Sequence, residues 1–161
     1  MSGAGTAVSG PDGADTLSNI ERLQFSDQNL AFDLGSNEAA GNTVRIIGAA
    51  FDANNINPTF VGIGLDLFDA GMSMLEVCQL ALGTNLFLSL AGSTSNEAFV
   101  NTVYKNVVGV LPSDAVRDSF VGLLVGSGGT MTQAKLLVLA ANANGSNINL
   151  VGLQETGVEF V

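Results

Sequence analysis

The chain has no histidine, no tryptophan, one cysteine, one tyrosine, three prolines and five basic residues among 161. With a single cysteine and no histidine, an internal disulfide and any Cys/His metal or catalytic site are excluded. Cys78 sits in the apolar run Val77-Cys78-Gln79-Leu80-Ala81-Leu82, where it reads as a small buried hydrophobe rather than a nucleophile. Arg22, Arg45, Lys105, Arg117 and Lys135 are scattered through a chain of net charge −10. No basic stripe is available for nucleic-acid phosphates, and an anionic membrane surface would repel the chain. No apolar run reaches the roughly 18 residues of a membrane span, and no basic stretch leads into an apolar one as in a cleavable secretory signal. Charged residues make up 12%, about half of the usual ~25%. Counting the 20 glycines lifts the apolar share to about 60%. So few charges leave apolar area at the surface, and such area in a soluble protein marks a partner surface.

What is present is a repeat. Ser36-Asn37-Glu38-Ala39-Ala40-Gly41-Asn42-Thr43-Val44 returns as Ser95-Asn96-Glu97-Ala98-Phe99-Val100-Asn101-Thr102-Val103, identical at seven of nine positions and offset by 59. Met72 answers Met131 and Leu80 answers Leu139 at the same offset, and Leu90-Ala91-Gly92 answers Leu150-Val151-Gly152 at 60. A fixed period of this length marks a duplicated supersecondary unit. The expected organisation is a Gly/Asp-rich turn and β-hairpin over 1–35, helical modules over 36–94 and 95–153, and a C-terminal strand or secretion tail over 154–161. The expected fold class is α+β, mostly helical, with a small sheet from the ends.

Each module reads as about four short helices. Thr94 to Glu97 has the form of a capping box. Behind it, Val100, Val103, Tyr104, Val107 and Val108 follow helical core spacing, as do Ala40, Val44, Ile47 and Phe51 in the first module. Asn57-Pro58 opens a second helix with Phe60, Ile63 and Leu67 as its stripe; the counterpart uses Val116, Phe120, Leu123 and Leu124. Ser73 and Thr132 cap third helices carrying Leu75, Val77 and Leu80, and Leu136, Leu139 and Ala140. Gly83-Thr84 and Gly145-Ser146 each close one helix and open another. Asp66 and Asp69 form an exposed acidic face, with a shared cation the rarer use of such a pair. Gly126-Ser127-Gly128-Gly129 is an inter-helix loop, lacking the Lys-Ser/Thr of a phosphate cradle.

The ends alternate with period two. Ile20 to Phe25 and Leu30 to Leu34 flank Ser26-Asp27-Gln28-Asn29 as a hairpin, with Asp27 as turn cap, and Val158 to Val161 alternates as a strand. Ahead of the hairpin, Gly10-Pro11-Asp12-Gly13-Ala14-Asp15-Thr16-Leu17-Ser18 fits the calcium-binding nonapeptide G-G-x-G-x-D-x-U-x with Pro11 for the second glycine. Calcium favours such carboxylate and carbonyl oxygens. Asp12, Gly13 and Asp15, with Asp27 from the next turn, are the candidate metal ligands. The plainer reading is a Gly/Asp turn entering a strand.

These residues carry a family resemblance. Gly10 to Leu34 resembles the last repeat turn and hairpin of haemolysin-type (RTX) secreted proteins, and Ala98 to Ala143 resembles the second module of the duplicated helical domain that follows it in many of them. The chain departs from that pattern in its turns Asn54 to Pro58 and Leu111 to Asp114, and in having no tryptophan. The resemblance implies export by a type I route through an uncleaved C-terminal signal, to the outside or the cell surface of a bacterium.

No histidine, one apolar-flanked cysteine and no spaced carboxylate pair argue against an enzyme. The expected function is a non-catalytic extracellular structural protein that assembles with itself as a matrix, surface layer or filament, with calcium as a candidate cofactor. The alternative is a calcium-binding and secretion module, or a ligand-binding one, of a larger RTX-type exoprotein or enzyme, with cell-surface glycan as a further candidate partner.

Overall fold

The computed structural model describes residues 6–10, 13–18, 20–143, 153 and 156–161, with backbone alone at 6, 8, 10, 15 and 17. The fold is α+β and mostly helical. Strands β1 (Thr6–Gly10) and β2 (Gly13–Leu17) form one antiparallel hairpin, with Gly10 opposite Gly13. Strands β3 (Arg22–Gln24), β4 (Asn29–Ala31) and β5 (Val158–Phe160) form a second antiparallel sheet in that order. The two terminal regions therefore meet in one sheet, as their period-two alternation predicts, with Leu30 opposite Glu159. The turn between β3 and β4 is closed by the Phe25 N–H donating to the Gln28 carbonyl at 2.8 Å. Asp27, expected to cap it, is exposed and makes no hydrogen bond among the described residues.

The helices are α1 (Ala39–Phe51), α2 (Pro58–Asp69), α3 (Met74–Leu82), α4 (Asn85–Ala91), α5 (Asn96–Val108), α6 (Asp114–Gly126) and α7 (Gln133–Ala143). Four fall in the first module and three, among the described residues, in the second; Gly145-Ser146 lies outside them. Helix α1 is the hub. It packs on α2, α5 and α7, and every residue from Val44 to Phe51 is buried, Arg45 included. Its companions bury one stripe each: Phe99, Val100, Val103 and Val107 on α5, and Ala134, Leu136, Leu137 and Ala141 on α7. Cys78 is fully buried on α3, and burial pushes its thiol up to about 12.

Start signals act where side-chain oxygens meet the first free N–H groups of a helix. Asn57 accepts from the Phe60 N–H at 3.0 Å with Pro58 first in α2. Ser73 and Glu76 make a reciprocal box, Thr84 caps α4, and Thr132 accepts from Lys135 at 3.2 Å. The box expected at Thr94 is displaced: Ser95 is the cap and accepts from the Ala98 N–H at 3.1 Å. The duplicated phrase also enters its helices differently. Asn96-Glu97 open α5, whereas Asn37-Glu38 precede α1. There the Glu38 carboxylate turns back to the Gly35 N–H at 2.7 Å, and Asp33 takes over the Ala40 N–H at 3.1 Å.

The echoing residues share environments. Val44 and Val103 are buried, Met72 and Met131 half-buried, and Leu80 and Leu139 exposed at 50% and 55%. That last pair corrects the sequence expectation, which put both leucines on core stripes. Ile63, Val116 and Leu123 are likewise exposed rather than core, and Val108 is too. The stripes are real, but among the described residues nothing covers their outer edge.

Candidate functional site

All of those exposed side chains except Val116 border two apolar grooves, one in each module. The first is lined by Ile46, Ile47, Phe51, Phe60, Ile63 and Leu80, among others, with a volume of about 370 Å³. The second is lined by Val103, Tyr104, Phe120, Leu123, Leu136 and Leu139, among others, with a volume of about 340 Å³. Each lies between the first, second and third helices of its module. Val77, Leu80 and Ala81 in one correspond to Leu136, Leu139 and Ala140 in the other at the 59-residue offset. Such volumes fit ligands or inserted side chains of small to moderate size.

Thr43 lines the first groove, whereas its equivalent Thr102 lies outside the second. Thr43, in the first, is buried with its hydroxyl unpartnered among the described residues. Its equivalent Thr102 donates to the Ala98 carbonyl at 2.9 Å. Close approach explains the difference. Any side chain at Gly64 of α2 would strike the Thr43 methyl and hydroxyl, so Thr43 is fixed by contact with bare α2 backbone.

A charged cluster ties the sheet to the helices at the other end of α2. Arg22 of β3 donates to both oxygens of Asp69, the longer bond being 3.0 Å, and lies 3.5 Å from Asp33. The hydrogen bond to Asp69 raises the Arg22 pKa further, and the same bond holds Asp69 below the ordinary carboxylate range. Asp69 thus serves an arginine 47 residues away rather than a cation shared with Asp66. Arg45, buried on α1, donates to the Gly35 and Ser36 carbonyls, and burial lowers its pKa. Neither arginine role was readable from spacing, because both partners are set by the fold.

The candidate calcium residues are dispersed among what is described. Gly13 opens β2 with φ +132° opposite Gly10, Asp15 stands in β2 opposite Val8, and Asp27 is in the β3–β4 turn of the other sheet. Asp12 lies outside the described residues. Among the described residues no three His, Cys, Asp or Glu side chains gather as metal ligands. The nonapeptide's strand β2 pairs antiparallel with β1, which lies ahead of the nonapeptide, whereas the repeated unit stacks as parallel coils. Among the described residues no single helix is long and apolar enough to cross a membrane. No family model matches the chain, and no curated protein or solved structure matches it at a significant level.

Proposed function

We propose that the protein is a non-catalytic extracellular structural protein that assembles with copies of itself into a matrix, surface layer or filament. The observation that carries this reading is the apolar surface of the second module. Val108, Val110, Leu111, Val116, Leu123, Val125 and Leu139 are all exposed, and three of them border the second groove.

Charge supports the same face. Lys105, Arg117 and Lys135 balance Glu97, Asp114 and Asp118 within 95–153, so the whole net charge of −10 resides elsewhere. The second module is the region an acidic copy can approach with least repulsion. Calcium enters as an ion held between copies. Asp12, Gly13 and Asp15 of the head hairpin would supply part of the six to eight oxygens it takes, with Asp27 a further contributor. The extracellular setting and type I export rest on the RTX resemblance of residues 10–34.

The second reading, a ligand-binding module of a larger exoprotein, is favoured by the two grooves and the unpartnered Thr43 hydroxyl. The test is sedimentation velocity on the full chain from micromolar to near-millimolar concentration, with and without millimolar calcium, followed by negative-stain imaging. Growing species that calcium extends support assembly. A monomer under every condition overturns it, and saturable uptake of an apolar fluorescent probe by that monomer would support the second reading.

A further inference from the structure

Where β3 meets α1 and α2 lies a cavity of about 510 Å³, lined by Ile20, Glu21, Arg22, Asp33, Ala39 and Asp69. Two polar atoms of opposite kind in this lining have no hydrogen-bond partner among the described residues: the donor Arg22 Nε and the acceptor Asp33 Oδ1. Both atoms are buried, and Asp33 as a whole is only 7% exposed. A buried donor or acceptor left unmatched costs free energy. A donor and an acceptor unmatched side by side call for an occupant that answers both.

The way each side chain is held explains why these two atoms are left over. Asp33 commits Oδ2 to the Ala40 N–H at 3.1 Å, at the start of α1, and its carbonyl accepts from the Gly41 N–H at 2.9 Å. The carboxylate cannot turn without uncapping that helix. Arg22 commits both terminal nitrogens to Asp69, and its Nη2 stands 3.5 Å from Asp33 Oδ2. The guanidinium is thus fixed from two sides, with the Nε–H to spare. Glu21 is anchored through its backbone, because its carbonyl accepts from the Phe32 N–H at 2.7 Å, while its side chain is exposed.

The chemistry of the occupant follows by matching. A metal ion or an ammonium group has no lone pair for the Arg22 Nε–H. A carboxylate or sulfate has no proton for Asp33 Oδ1, and three carboxylates against one guanidinium in the lining repel it. A hydroxyl donates and accepts through a single oxygen. Exposed Ile20 adds an apolar edge, suited to the C–H face of a sugar ring whose rim carries the hydroxyls. A few fixed polar groups beside apolar surface, in a cavity of this size, is the usual make-up of a small-molecule site.

We infer that this cavity binds a neutral saccharide, one hydroxyl of which donates to Asp33 Oδ1 and accepts from Arg22 Nε while Glu21 takes a neighbouring hydroxyl. The site is separate from the two apolar grooves and does not depend on assembly between copies.

The test is nitrogen-15 NMR of the full chain, dilute enough to be monomeric, reading the Arg22 Nε–H signal, which is identified by its absence from Arg22→Lys. Glucose, galactose and mannose are titrated, with their uronates and N-methylacetamide as the comparison probes. A saturable shift with at least one hexose is expected, with the matching uronate at least about tenfold weaker and no response to the amide. Arg22→Lys removes the Nε donor and keeps the charge beside Asp69; Asp33→Asn keeps the shape and exchanges a carboxylate oxygen for an N–H donor. Each should lower hexose affinity at least about tenfold, as for loss of one charge-assisted hydrogen bond, read from the backbone amides of Glu21 and Ala39. Circular dichroism checks both folds, and if Asp33→Asn loses helix, Arg22→Lys decides alone. If no hexose moves the signal, the cavity holds ordered water only and the inference is overturned. Equal binding of the uronate, saturation by the amide, or undiminished binding by Arg22→Lys overturns it as well. None of these results touches the self-assembly reading, which sedimentation decides.

Discussion

Helix α2 and helix α6 are the same kind of element under different cover. The first buries Val61, Gly62, Gly64 and Leu65 beneath the C-terminal strand and against α1; the second buries Leu124 among its apolar residues and leaves Val116, Leu123 and Val125 in solvent. Duplication supplied both helices with similar apolar faces. Of the two sheets among the described residues, the one that joins both ends of the chain lies on the first module. An apolar face kept without its cover is what self-association requires.

The most severe way to break this contrast is to remove the cover. Deleting Val158 to Val161 takes away buried Val158 and half-buried Phe160, together with the β4–β5 pairing. A loss of about 4 kcal/mol is expected from burial and cavity terms together, read as a lower urea midpoint. The truncated chain should also associate more strongly than the full one, because α2 then resembles α6. An unchanged midpoint would show that β5 does not hold the first module together. The same deletion is the natural trial of a C-terminal export signal. Retention in the cell would therefore need a folded, export-only variant such as Glu159→Lys beside it, since Glu159 is exposed.

Next comes the matched glycine pair. Gly62→Ala pushes a methyl into the Val161 carbonyl and should cost about 1–3 kcal/mol. Gly122→Ala meets nothing and should gain about 0.5–1 kcal/mol through helix propensity. Opposite signs in urea denaturation sharpen the comparison. Equal effects would mean that the two glycines sit in equivalent surroundings.

How far the sequence foretells this divides by range. Local chemistry was legible: Asn57-Pro58, Ser73, Thr84 and Thr132 do open helices, and the alternating runs about Ser26 to Asn29 and at Val158 are strands. Apolar spacing showed which faces are apolar but not which are covered, so Ile63, Leu80, Leu123 and Leu139 were placed in a core that ends short of them. A period reports one side of a contact, and the other side is decided by tertiary neighbours. The grooves follow from that shortfall. The Arg22–Asp69 pair and the carbonyl-bound Arg45 were invisible because nothing within a few residues of either arginine announces a partner. The displaced cap at Ser95 shows a smaller limit, since Thr94, Ser95 and Asn96 are each competent caps.

A milder probe compares the equivalent threonines. Thr43→Val replaces an unpartnered buried hydroxyl by a methyl of similar volume and should stabilise by about 1 kcal/mol. Thr102→Val forfeits the bond to the Ala98 carbonyl and should destabilise by about 0.5–1 kcal/mol. Thermal midpoints moving the same way would indicate that the Thr43 hydroxyl has found a partner.

The smallest effect concerns charge, and here too the modules differ. Arg22 binds Asp69 across 47 residues and joins β3 to α2, whereas Arg117 pairs within its own helix with Asp114 and its neighbour Asp118. The bond from Arg22 depresses the Asp69 pKa. A carboxylate depressed in the folded state adds stability that is full above the unfolded value, near 3.9, and is lost as pH falls through the lower folded value. Asp69 is half-exposed, so solvent screening should hold the gain below about 1 kcal/mol. Asp69→Asn should therefore lower the urea midpoint at pH 7, and the gap to wild type should close as pH falls below about 4. Asp118→Asn should leave the midpoint unchanged at either pH, because Arg117 keeps Asp114 at 2.8 Å. A gap for Asp69→Asn that persists undiminished at pH 2 would mean that the side chain acts through packing rather than through its charge.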